Sequence, residues 1–210
     1  LANNELLDYY DANLTYLGTK PRSDVHREGL WHRTFHCHVI YRDTNGNDFI
    51  ILQKRGDNVE VCPNMLDVSA AGHYAAGETM RDGVRELQEE LGLNAAFEDL
   101  IPLGKRVSVA QYGTLIDYQV ADVFFYVCDK PLNEYEYQHE EIAGLVNLNI
   151  FAGIELLTHK SDDIACTAVG FSTATIRITK DDFIPTLDHY FLKILLLAKR
   201  CLDGEKELWI

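Results

Sequence analysis

Several stretches of the chain alternate apolar and polar residues with a period of two, the spacing of a strand with one buried face. Trp31 to Arg42 reads as such a strand, followed by a turn at Asn45-Gly46-Asn47 and a second strand at Phe49 to Lys54. Glu5 to Tyr10 and Leu14 to Leu17 flank Asp11-Ala12-Asn13 and predict a hairpin over residues 4–18. Met65 to Ala71 is extended. Phe97 to Arg106, Ile116 to Asp129 and Leu145 to Leu148 add further strands, the second of them long and apolar enough to be central. The period changes to that of a helix at Arg81 to Leu91, with Val84, Leu87 and Leu91 as the buried stripe. Gly92 ends this helix at a position suited to left-handed backbone. Ile150 to Lys160 and Leu187 to Leu202 predict two more helices, the last with Leu187, Tyr190, Phe191, Ile194, Leu195, Ala198 and Leu202 on one face. Strands interleaved with helices indicate an α+β fold with a mixed β-sheet.

The acidic helix carries the strongest chemical signal. At about 100° of turn per residue, Glu89 and Glu90 lie roughly 60° to one side and 40° to the other of Glu86. Three carboxylates on one face repel each other by a few tenths of a kcal/mol per pair. A hard divalent cation such as Mg²⁺ or Mn²⁺ reverses the sign of that interaction, because such ions take oxygen ligands. Alone, this spacing is more often that of a solvated acidic face. Its surroundings change the picture.

Gly72, Glu78, Arg85, Glu86, Leu87, Glu89, Glu90, Gly92 and Leu93 follow one another in the order of the Nudix box, G-x5-E-x7-R-E-U-x-E-E-x-G-U, with U apolar. The chain is identified on these residues as resembling the Nudix hydrolase family. Val25-His26-Arg27-Glu28-Gly29-Leu30-Trp31-His32-Arg33, Leu52-Gln53-Lys54-Arg55 and Asp67-Val68-Ser69-Ala70-Ala71-Gly72-His73 are similar to the branch related to isopentenyl-diphosphate isomerase. Together the resemblance spans roughly residues 5 to 150. It implies an α/β/α sandwich, a metal-dependent hydrolase of a small-molecule diphosphate, and Mg²⁺ or Mn²⁺ held by Glu86, Glu89, Glu90 and the Gly72 carbonyl. Arg85 then orients a ligand carboxylate. The expected organisation is a hairpin and entry segment (1–30), the Nudix domain (31–160) and a C-terminal extension (161–210) whose helix packs on that domain.

One departure stands out: six residues separate Glu78 from Arg85 where the family has seven. Thr79 with Asp82 forms a capping-box-like pair. If the helix absorbs the deletion, Glu78 rotates by about 100° away from the other carboxylates. If the glycine-flanked loop absorbs it, Glu78 still reaches them. The loop is favoured, because burying the stripe from Val84 to Leu91 contributes several kcal/mol against about 1 kcal/mol for a cap.

Composition narrows the partners. A net charge of −14 disfavours a nucleic-acid polymer or an anionic membrane surface. It also means that a phosphate substrate must be met by metal and local cations. Arg27, Arg33 and Arg55 are candidates, since guanidinium groups grip phosphate oxygens in pairs, and His73 joins them beside the box. No apolar run nears the ~20 residues of a membrane span. Five scattered cysteines without a CxxC pair fit reduced thiols and a cytoplasmic setting. A homodimer is compatible with all of this. His36, Cys37 and His38 do not make a metal site, because neighbours on a strand face opposite ways. His26, His32 and His73 resemble metal-binding histidines of the isomerase; hydrogen bonds to the entry strand and box loop are the plainer role. Trp31, Tyr74 and Tyr118 are either core residues or stacking platforms.

Two rival functions follow from the same residues. In the isomerase family a cysteine stands where this chain has Ala71, and an E-x-E pair aligns with Asp117 and Gln119, so the resemblance implies that two proton-handling groups are missing here. A Nudix-fold module that binds without hydrolysing accounts for the shortened spacer, but leaves three mutually repelling acids without a purpose.

Overall fold

The computed structural model describes residues 5–210. Asn4, the first residue of the expected hairpin, lies outside them. Leu6–Tyr10 (β1) and Tyr16–Pro21 (β2) pair antiparallel. The Asp11 carboxylate closes their turn by accepting from the amides of Asn13 and Thr15, at 2.9 and 2.8 Å. Leu14 is thereby drawn into the turn at φ 61°, so the second strand starts at Tyr16 and runs to Pro21. The unanticipated helix α1, Arg22–Glu28, follows at once, stopped by Gly29 at φ 64°.

Trp31–Arg42 (β3) and Asp48–Arg55 (β4) form the centre of the molecule, followed by the short strands Leu66–Asp67 (β5) and Ala70–His73 (β6). A 3₁₀ turn, Asp82–Val84, leads into Arg85–Leu91 (α2), and Gly92 ends it in the left-handed region, φ 63°. Ile101–Tyr112 (β7), Leu115–Val127 (β8), Ile142–Asn149 (β9), Ile150–Leu157 (α3), Ile164–Val169 (β10), Thr175–Ile178 (β11) and Tyr190–Leu202 (α4) complete the fold. The expected strand start at Phe97 is instead a 3₁₀ turn, Phe97–Asp99, in which Asp99 accepts from the Ala96 amide at 3.1 Å.

All the strands join one mixed sheet. Its main path runs β11-β10-β9-β4-β3-β1-β2, while β8 lies parallel to β3 and carries β7 on its other side. One face buries Phe35, Cys37 and Val39 against Leu87 and Leu91 of α2. The other buries Ile40, Ile50 and Leu52 against α3 and α4, through Leu156, Ile194, Leu195 and Ala198. Helices on both faces make this an α/β/α sandwich. Each fully buried Leu or Ile contributes about 1.5–3 kcal/mol, so the stripe of α2 fixes its rotation firmly.

The last helix departs from expectation at its start. Leu187 is 94% exposed, and the helix begins only at Tyr190. Tyr190 is the anchor: its hydroxyl lies 3.1 Å from His36 Nδ1 and 3.0 Å from His38 Nε2. Arg106 stacks on its ring at 3.9 Å and pairs with Asp188. His36 and His38 thus face α4 while Cys37 lies in the cluster on the opposite face, as strand alternation requires.

Where the 3₁₀ turn meets β3 the packing leaves no room. A Cβ on Gly83 would stand 2.7 Å from both Phe35 and Tyr74 ring carbons. Gly83→Ala is therefore expected to lower stability by about 1–3 kcal/mol, although alanine is the better helix former. A urea midpoint equal to or above the parent's would refute this packing.

Candidate active site

The β6-to-α2 connection places the acids. Gly72 pairs with Phe35 of β3, and the Glu86 carboxylate folds directly over it. A Cβ there would fall 1.9 Å from Glu86 Oε1, so only glycine fits beneath that carboxylate. Glu90 points inward, and its Oε2 accepts from the Ala71 amide at 3.0 Å and from Gln53 Nε2 at 3.2 Å. Glu89 lies on the outer side, with its side chain 55% exposed.

Arg85 is the hub of the cluster. Its guanidinium reaches Glu78 at 3.1 and 3.2 Å, Glu86 at 2.8 Å, Glu89 at 2.9 Å and the His73 carbonyl at 3.0 Å. Glu78, held also by the Ala75 amide at 2.8 Å, thus lies with the other acids and does not turn to solvent. The 3₁₀ turn explains how the short spacer permits this. Such a turn rises about 2.0 Å per residue against about 1.5 Å in an α-helix, so three residues regain roughly the rise of the missing one. Thr79 plays no capping role for α2. Instead its amide and hydroxyl both donate to Asp82, each at 2.7 Å.

Burial sets the charge state. Glu86 and Glu90 are each only 7% exposed. Burial pushes Glu86 up to about 7, against the opposing pull of Arg85. Glu90 is raised well above the ordinary carboxylate range by burial first and by Glu86 second. Two buried carboxyls and an oxygen-only donor set, with no basic side chain hydrogen-bonded to Glu90, fit a hard divalent cation. Because the ligand form is the charged one, metal binding must expel a proton. Mg²⁺ affinity is therefore expected to rise with pH through about 7, where Glu86 ionises. Calorimetric titrations giving the same affinity at pH 5.5 and 8.5 would contradict it.

The cations expected to hold phosphate are already partnered. Arg33 pairs with Asp122 at 2.6 Å and lies over the Tyr74 ring at 5.0 Å; Lys105, not singled out from sequence, meets the same aspartate. Arg55 pairs with Asp67 at 3.1 Å. Arg27 sits on the exposed side of α1, engaged with Asp24 and Glu28. Of the loop acids Glu134, Glu136, Glu140 and Glu141, Glu141 is the one whose charge bears on Glu90. Tyr74 is core, and Trp31 packs on Tyr118 at 5.2 Å.

The His73 ring lies beside His26 and His32, with ring centroids 5.2 and 5.0 Å away. Burial holds His26 and His32 down to about 4 and His73 well below its usual value, so all three rings are neutral at pH 7. Gln119, beside them, accepts from Thr34 at 2.9 Å and donates to Asp117 at 3.2 Å.

No family model matches the chain. It is 36% identical over 200 residues to an uncharacterized Nudix hydrolase of Clostridium acetobutylicum, covering 92% of this chain and 96% of that protein. It is 28% identical over 138 residues to the isopentenyl-diphosphate Delta-isomerase of Serratia proteamaculans, covering 65% and 74% respectively. The solved structure of a MutT/nudix family protein from Enterococcus faecalis shares the fold, with a TM-score of 0.53 at 13% identity over 84% of this chain and 65% of that one. No helix among the described residues is long and apolar enough to cross a membrane. With a relative matched across nearly its whole length and the box acids gathered around Arg85, the chain belongs to the Nudix hydrolase family, as an enzyme of the pyrophosphohydrolase type.

Proposed function

We propose that the protein hydrolyses a diphosphate joined to a second moiety, a nucleoside diphosphate or a related organic diphosphate, with Mg²⁺ or Mn²⁺ held by Glu86, Glu89, Glu90 and the Gly72 carbonyl. The observation that carries this reading is the pair of buried, raised carboxyls of Glu86 and Glu90, the first held by Arg85 and the second by Ala71 and Gln53. When bound, the metal neutralises charge developing on the phosphates and lowers the pKa of an attacking water. The protein's own share is positional. Arg85 keeps Glu78, Glu86 and Glu89 in register through one guanidinium. Glu90 or one of the loop acids Glu134, Glu136, Glu140 and Glu141 takes the proton from water; of these four only Glu141 is among the charges that act on Glu90. Arg33, Arg55, Arg27 and His73 are the substrate-binding candidates. For Arg33 and Arg55 the substrate must replace Asp122 and Asp67 as the partner anion.

The 3₁₀ turn weakens the case for a module that binds without hydrolysing, because the shortened spacer leaves Glu78 within the cluster. Isomerisation is disfavoured by Ala71, which has no proton to give, and by Gln119, whose amide is bound to Thr34 and Asp117. A panel of nucleotide sugars, dinucleotides, damaged nucleotides and isoprenoid diphosphates, assayed with Mg²⁺ and Mn²⁺, tests the proposal. Release of phosphate-containing products from at least one class is expected. Intact ligand binding throughout would favour the module. Ala71→Cys is expected to gain no isomerase activity, and isomerised isopentenyl diphosphate made by the unmodified protein would overturn the ranking.

A further inference from the structure

We propose that Asp8, on the N-terminal hairpin, is a positioning residue for the metal-binding acids: its carboxylate holds the box loop at Gly77 and thereby sets where Glu78 and Arg85 stand. The inference rests on the reading of those acids as a metal site and extends it to a segment outside the box.

The connection between β6 and α2 opens with a four-residue turn. The Glu78 amide donates to the Ala75 carbonyl at 2.9 Å, with Gly77, the third residue, at φ 83°. The Glu78 carboxylate folds back on the Ala75 amide and on Arg85. These bonds use the amides of Ala75 and Glu78 and leave those of Ala76 and Gly77 to be met from elsewhere. The hairpin meets both. Ala76 donates to the Leu6 carbonyl at 2.7 Å, and Gly77 donates to Asp8 Oδ2 at 2.9 Å. Leu7, between the two acceptors, is buried and pairs with Ala75.

Asp8 is itself held from the other side. Its Oδ1 accepts from the Thr19 hydroxyl of β2 at 2.8 Å, and the Tyr16 hydroxyl lies 3.2 Å from that of Thr19. One carboxylate thus ties β2, through β1, to the turn. It does so where the loop is least restrained: a Cβ on Gly77 would meet nothing within 4 Å, so no side-chain packing fixes that residue. Beyond Glu78 the shortened spacer has no slack. Thr79 is closed on Asp82, where the 3₁₀ turn begins. A change at Gly77 therefore passes to Glu78, the next residue, and through it to the guanidinium that also holds Glu86 and Glu89. Asp8 acts on the acids only through this chain of contacts.

The test uses the full chain with Asp8→Ala, Asp8→Asn and Thr19→Val, and reads hydrogen exchange at the Gly77 amide and Mg²⁺ binding by calorimetry at pH 8. Asp8→Ala should speed Gly77 exchange at least about tenfold while the buried Val39 and Leu52 amides keep the parent's rates. It should weaken Mg²⁺ binding by about tenfold. Asp8→Asn keeps an oxygen for the Gly77 amide and should restore both values, which a role through charge would not do. Thr19→Val leaves the carboxylate but frees it from β2; a smaller rise in Gly77 exchange is expected, and an unchanged rate overturns the proposal even if the alanine variant does not fold. On any diphosphate the parent cleaves, Asp8→Ala should lower kcat and leave KM unchanged. Parent-like Gly77 exchange and Mg²⁺ affinity in Asp8→Ala overturn the proposal, as does an Asp8→Asn variant no better than Asp8→Ala. A parent that binds Mg²⁺ but cleaves no diphosphate removes the hydrolase reading alone, because exchange and metal binding are measured without substrate. A parent that binds no Mg²⁺ removes the metal reading and this proposal together.

Discussion

At pH 8 and without divalent metal, Glu86→Gln should melt above the parent protein while losing most of its metal-dependent turnover. The two effects have one cause. Burial raises the folded-state pKa of Glu86 from 4.5 to about 7. Below about 4.5 the group is protonated whether the chain is folded or not, and it carries no penalty. Stability is then lost as pH rises through 7, because the folded chain must hold a buried charge. At 1.36 kcal/mol per unit the penalty is roughly 3 kcal/mol at pH 8, and the amide removes it. For a chain of this size that corresponds to about 6–12 °C in melting temperature. At pH 4 the two proteins should melt together. Added Mg²⁺ should raise the parent's melting point and leave the variant's nearly unchanged. Turnover should fall about a hundredfold or more, the usual scale for a lost group that meets transition-state charge. Glu89→Gln should lose turnover similarly without the stability gain, since that side chain is already in water. Equal melting of the Glu86 variant and parent at pH 8 would show that the carboxylate is not buried as described.

Gly72→Ala should silence the enzyme without unfolding it. No left-handed backbone is required at Gly72, so alanine is tolerated conformationally. The obstacle is space: the new methyl would lie 1.9 Å from Glu86 Oε1 and 2.1 Å from its Cδ. The carboxylate must swing off the strand, taking with it the Arg85 contact and the ligand position next to the Gly72 carbonyl. A stability loss of about 1–3 kcal/mol is expected, together with at least about a hundredfold loss of turnover. Gly72→Ala/Glu86→Ala, which removes the clashing group, should recover the stability but not the activity. Normal Mg²⁺ affinity and turnover in Gly72→Ala would place the working position of Glu86 elsewhere.

The central strands and the box helix were legible because strong periodicity and a dense motif coincide there. Val84, Leu87 and Leu91 mark one face of the helix, and Gly92 its end. What escaped reading lacked such signals. Helix α1 has seven residues, only Val25 and His26 of them buried, too few to show a period. Strand β10 does alternate, with Ile164, Cys166 and Ala168 inward, but it is short and its partner β9 carries a strand signal only from Leu145 to Leu148. Glu86, Glu89 and Glu90 were readable as one group, whereas their unequal burial was not, since it depends on Gly72 and Ala71 from another strand. The pairing of Arg33 with Asp122 and of His32 with Asp117 joins residues distant in sequence, which no local pattern reports.

The parallel union of β3 with β8 has a consequence in time. Trp31 to Ile40 take Tyr118 to Val127 as partners, and β4 takes Ile142 to Asn149. A ribosome adding about 5–20 residues per second delivers β3 and β4 roughly 5–20 s before their neighbours exist. The box helix emerges in that interval too, its acids already made but its supporting sheet incomplete. Phe35, Val39, Ile51 and Leu52 wait uncovered, and such contacts between remote segments form slowly even afterwards. Translation speed and chaperone supply, more than the stability of the finished fold, then govern how much of the nascent chain pairs with itself and how much with its neighbours.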